Sequence, residues 1–123
     1  MILNKNQPPS KIDLEEFISN INFQMPLGYL DFMKDSNGAS IEFEMRYLEL
    51  WTLNELFPLN EGYEVEKFAS DFFLIGSDGG GTAYGIEKSN GKIYELPFIG
   101  MNNDSAVFIS DDFNGFLNVL DEN

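Results

Sequence analysis

With 123 residues, 43% of them hydrophobic, the chain has the length of one domain and the material for one core, which at this size buries about two-thirds of the unfolded surface. It holds neither cysteine nor histidine, which removes disulfides, thiolate nucleophiles, the usual zinc sites and the imidazole base of most hydrolytic triads. Twenty-one acidic residues against seven basic ones leave a formal charge of −14, a field that repels nucleic acid and anionic membrane and steers basic proteins into contact.

Residues 1–9 carry the polar run Asn4–Gln7 followed by Pro8-Pro9, which reads as a loose lead-in. Ser10 can cap a first helix in which Leu14, Phe17, Ile18 and Ile21 recur at helical spacing, placing one face on the core. Asp13, Glu15 and Glu16 lie in its first turns, where the helix dipole favours negative charge. Pro26 opens a second helix carrying Tyr29, Leu30, Phe32 and Met33, and Asn37 or Gly38 can take the left-handed conformation that ends it. The same turn imitates part of a calcium loop, with Asp35, Asn37, Gly38 and Glu44 in step. Met33 then falls on the first ligand position, where an acid is required.

From Ile41 to Tyr47, apolar and charged residues alternate, the pattern of a half-buried strand with Glu42, Glu44 and Arg46 outward. Leu48–Trp51 shifts the parity, suggesting a bulge or the strand's end. Thr52 and Glu55 form a capping box for a short helix through Leu56 and Phe57, expected to stop at Pro58. Leu59–Ser70 reads as a connecting loop or irregular helix. Phe72–Ile75 is an uninterrupted apolar run before a glycine-rich break, the signature of a central strand covered on both faces, and Thr82–Ile86 returns as its hairpin partner.

Gly76 and Gly81 have the spacing of a phosphate-binding loop, but Thr82 stands where the lysine is needed and Asp78 puts an acid among the phosphates. A tight turn between packed strands is the better reading. Asn90-Gly91 suggests a two-residue hairpin turn before a strand at Ile93–Pro97. Phe98–Ser105 is a loop, and Ala106–Ile109 is a short strand or an approach to the last helix. Ser110 or Asp111 caps that helix, in which Phe113, Phe116, Leu117 and Leu120 face inward. This order predicts an α+β fold, a largely antiparallel sheet with helices against one face or end.

Pro26-x-x-Tyr29-x-x-Phe32-Met33-x-x-x-Asn37-Gly38 resembles the LPxxYxxFLxxxNG signature of the SUKH superfamily, the Smi/Knr-type domain, with Met25 and Met33 in place of leucines. Leu50-Trp51-x-Leu53-x-Glu55-Leu56, Asn60, Tyr63, Leu74-Ile75-Gly76-x-Asp78-Gly79-Gly80 and Phe113-x-x-Phe116-Leu117 follow in the family's order. The resemblance covers about Ile12 to Leu120. It implies a SUKH-like α+β domain over 1–123 that, in the bacterial branch, serves as a non-catalytic immunity protein against a toxin of a polymorphic toxin system, often a nuclease; fungal relatives regulate cell-wall signalling.

Charge supports the same expectation, because nucleases that grip phosphate backbones are commonly basic. The candidate toxin-binding residues are Glu42, Glu44 and Glu49 on and beside the charged strand, Glu61 and Glu64 in the loop, Asp71 and Asp78 around the central hairpin, and Trp51 as an anchor. For each acid the plain alternative is a solvated surface charge, and for Trp51 a place in the core. Two other functions compete: a regulatory or scaffold domain binding another intracellular protein, for which long docking flanks are missing, and an enzyme working with paired carboxylates. The expected protein is cytoplasmic, a monomer or weak homodimer, needs no cofactor or metal, and engages neither nucleic acid nor membrane.

Overall fold

The computed structural model describes residues 1–122. Seven strands form one antiparallel sheet in which spatial order equals chain order: β1 (Ile2–Lys5), β2 (Ala39–Glu42), β3 (Tyr47–Leu50), β4 (Phe72–Ser77), β5 (Thr82–Glu87), β6 (Ile93–Pro97) and β7 (Val107–Ser110). Helices α1 (Lys11–Asn20) and α2 (Tyr29–Ser36) are inserted between β1 and β2, α3 (Leu53–Gly62) and α4 (Val65–Phe68) between β3 and β4, and α5 (Phe113–Glu122) follows β7. The architecture is the expected α+β. β4 is central, and its first five residues are buried, so the apolar run Phe72–Ile75 has side chains on both faces covered.

Aromatic contacts join the layers. Phe57 of α3 lies between Phe17 of α1 and Phe73 of β4, with ring centroids at 5.8 and 5.4 Å. On the same face of the sheet, Phe113 of α5 meets Tyr29 and Phe32 of α2 at 5.6 and 5.1 Å, and Phe116 meets Tyr84 of β5 at 5.2 Å. Ser10 caps α1 through Asp13 N, and Thr52 and Glu55 form the capping box of α3. Among the described residues no helix is long and apolar enough to cross a membrane.

Several local expectations are corrected. The supposed lead-in contains β1, which pairs with β2 and is tied down by Lys5 Nζ to Asp35 at 2.6 Å and by Asn6 Nδ2 donating to Asn37 O; its side chains are exposed, so no hydrophobic period marks it. The alternating run Ile41–Tyr47 is two strands and a turn: Phe43 N donates to Arg46 O at 2.8 Å, and Glu42 lies opposite Tyr47. α2 begins at Tyr29, after Gly28 at φ 91°, rather than at Pro26. α3 runs through Pro58 to Gly62 rather than stopping at the proline. Of the two readings of Leu59–Ser70, loop or irregular helix, the second holds, since the end of α3 and then α4 occupy it. The Asn90-Gly91 turn is longer than two residues, with Gly91 N donating to Glu87 O and Glu87 N to Lys92 O. Asp112, rather than Ser110 or Asp111, accepts from Gly115 N at the start of α5, while Ser110 Oγ supports Asp112 N.

Two glycines set the close approaches. A side chain at Gly76 would put its Cβ 2.3 Å from Glu49 O, where β4 crosses β3. At Gly38, φ is +85° and a Cβ would lie 2.5 Å from Leu50 O. The preceding Asn37, at φ 46°, closes α2 and accepts from Leu53 N at 2.8 Å, tying the end of α2 to the start of α3.

Candidate interaction surface

Antiparallel pairing brings the β2–β3 turn, the β4–β5 turn and the β6–β7 loop to one end of the sheet, since Glu49 lies opposite Ser77 and Thr82 opposite Pro97. Glu42, Glu44, Glu49 and Asp78 gather there. Tyr84 and Glu95 are cross-strand partners, and a recess of about 360 Å³ opens between them, lined also by Arg46, Tyr47, Asp78 and Thr82. Arg46, the only arginine in the chain, stands among these acids.

The acids at this end differ in how free they are. Glu42 and Glu44 are exposed. Glu49 is half-buried and accepts from the Ser40 hydroxyl and from Tyr47 OH, the latter at 2.8 Å. Asp78 Oδ1 accepts from Gly80 N at 2.8 Å and Thr82 N at 3.1 Å. Its carboxylate therefore occupies the amides that a phosphate would need, which agrees with reading this glycine-rich segment as a tight turn. Burial raises the pKa of Tyr84, Asp78 adds to the rise, and Arg46 opposes it. At Tyr47 the neighbouring Ser40 lowers the pKa, but Glu49, loss of hydration and Glu42 together outweigh it and the net shift is upward.

The other candidates lie elsewhere. Asp71 and Asp78 bracket β4, so roughly 20 Å of strand separates them. Glu61 borders a recess of about 350 Å³ over Phe23, Phe57 and Phe73, and Asp71 an adjoining one beside Phe23 and Lys88. Glu64 projects between α3 and α4 at φ 55° and lines neither. Trp51 is only 8% exposed and stacks on Tyr63 at 6.1 Å, so it takes the place in the core that was weighed against a role as anchor. The eight candidates thus form an acidic group at the turn end, a looser group at the opposite end, and a buried tryptophan. Among the described residues no acidic cluster could hold a metal ion.

Arg46, Tyr47 and Glu95 were not singled out by sequence. The first two were hidden because the Glu-Phe-Glu-Met alternation runs unbroken through the turn. Glu95 becomes legible only through strand pairing, which sets it beside Tyr84.

No curated protein matches this chain. The family model described as SMI1/KNR4 (SUKH-1) matches residues 8–119, a span that takes in the Pro26–Gly38 signature and all of the sheet except β1. The chain belongs to the SMI1/KNR4 family (SUKH-1).

Proposed function

We propose that this protein is a non-catalytic immunity protein that binds a basic toxin, of which a nuclease is the leading class, and blocks its active surface. The observation that carries the reading is the acidic end of the sheet, where Asp78 and Glu95 line a recess with Arg46 and where Glu42, Glu44 and Glu49 lie in and beside the adjoining β2–β3 turn. Family membership supports it, because bacterial members of this superfamily commonly serve as immunity proteins. A field of −14 would speed encounter with a basic partner, and affinity would come from a few well-buried contacts rather than from total charge.

The test is co-expression with the toxin domain encoded beside this chain, scored by host survival and then by binding of the purified pair. Glu42→Lys and Glu44→Lys are the informative substitutions, since neither side chain supports the fold; each should weaken binding about tenfold, chiefly by slowing association. Asp78→Lys is a poorer probe because it also opens the turn. Rescue that survives both reversals would remove this end of the sheet from the interface, and absence of rescue or binding would remove the toxin. A second reading, a scaffold domain engaging another protein, is favoured by one observation: the recess over Phe23 and Phe57 has an apolar floor and lies away from the acidic end.

A further inference from the structure

β7 is the last strand of the sheet and has a neighbour on one side only. Among the described residues, Val107, Phe108 and Ile109 make no backbone hydrogen bond outside the β6 ladder. Val107 is 56% and Phe108 50% exposed. Edge strands are ordinarily blunted by a charge, a proline or a covering segment, and Val107–Ser110 carries no charge and no proline. Its irregularity falls at Ile109, where the register slips between Ile93 and Tyr94, leaving Val107 and Phe108 regularly paired.

The position of this edge suggests its occupant. Val107 lies opposite Glu95 and shares a small recess with Thr82, Glu95 and Pro97, so the bare edge runs directly into the acidic end of the sheet. Asp104 and Asp111 flank the strand, with Lys92 offsetting only Asp111 at 3.7 Å. A second copy is disfavoured: antiparallel β7–β7 pairing would bring Asp104 of each chain toward Asp111 of the other, between two bodies of charge −14.

We infer that β7 accepts an extended, lysine- or arginine-flanked segment of the partner protein as an eighth strand, with its basic residues resting on Glu95 and the neighbouring turn acids. Main-chain pairing would supply affinity without demanding a sequence, and the acids would set polarity and register. The inference rests on the toxin-binding reading and deepens it.

Hydrogen–deuterium exchange on the complex with the neighbouring toxin domain tests it. Amides of residues 107–110 should slow at least tenfold on binding, while those of β1, the opposite edge, keep their rate. Val107→Lys should weaken binding tenfold or more and Leu3→Lys on β1, the opposite edge, should leave it unchanged, with folding of both checked by circular dichroism. A complex that forms without slowing β7 exchange overturns this inference and leaves the toxin reading intact. Slowing that rises with the concentration of the free chain alone makes a second copy the occupant and overturns it too. If the unaltered chain neither rescues nor binds, the toxin reading falls and takes this inference with it.

Discussion

The hydroxyl of Tyr29 is fully buried and has no hydrogen-bond partner among the described residues, and burial alone drives its pKa far upward. An orphaned buried hydroxyl costs about 1–3 kcal/mol, while the ring itself is well packed against Phe113. Tyr29→Phe should therefore raise stability at pH 7 by about 1 kcal/mol, read from urea unfolding. The alkaline limb provides a second check. Because the folded-state pKa lies above the unfolded value near 10, Tyr29 stays protonated in the fold while the unfolded chain ionises, so stability is full below pH 10 and falls as pH rises beyond it. Tyr29→Phe should flatten that fall, and an unchanged alkaline limb would mean that the hydroxyl ionises as readily in the fold as in the unfolded chain, in reach of water. Tyr29, Asn37, Gly38, Trp51 and Asn60 are all residues that carry the family resemblance, and each is explained by packing or by a backbone contact. Asn60, for example, accepts from Leu74 N at 2.7 Å and donates to Leu74 O at 2.9 Å, joining α3 to β4 as a strand neighbour would. Such residues were legible in the sequence because the fold demands them. The binding acids were only partly legible, since a solvated carboxylate and a contact carboxylate look alike until strand pairing shows which of them converge.

At the level of elements, the long apolar or helical periods were read well and the short connections poorly. Pro58 shows why: a proline normally ends a helix because it lacks an N–H and crowds the preceding turn, at about 3 kcal/mol. Here Leu56 is buried, Asn60 is bonded to β4, and the capping box holds the start, so tertiary contacts carry α3 through the break. Pro58→Ala should stabilise the protein by about 1–2 kcal/mol, somewhat less than the full helix penalty because proline also restricts the unfolded chain. The β3–β4 seam is the opposite case. Only Glu49–Ser77 and Leu50–Gly76 pair there, with Trp51 N donating to Ile75 O beyond them. Gly76→Ala would drive a methyl into the Glu49 carbonyl and should cost about 3 kcal/mol, with the loss seen as early amide exchange along β3 and β4. No period in the sequence announces this seam; it is visible only once β3 is recognised as a separate strand.

For the whole molecule, the excess of acid sets two salt dependences of opposite sign. The folded chain concentrates a charge of −14, and its self-repulsion is relieved as the screening length falls from about 10 Å at 0.1 M salt to about 3 Å at 1 M. Salt also weakens ion pairs, but those among the described residues are Lys5–Asp35, Lys11–Glu15, Lys88–Glu66 and Lys92–Asp111, each with at least one largely exposed side chain and each worth at most about 1 kcal/mol. Relief of repulsion should win, and added sodium chloride should raise Tm by about 2–5 °C. Association with a basic partner responds the other way, because the same screening removes the steering field, and its rate should fall about tenfold or more over that range. Measuring both on one preparation separates the two effects. A rising Tm with a falling association rate is the signature of an acidic surface kept for a basic partner at some expense to the fold, whereas a rising Tm with a salt-independent rate would mean that the charge serves only to keep the chain dispersed.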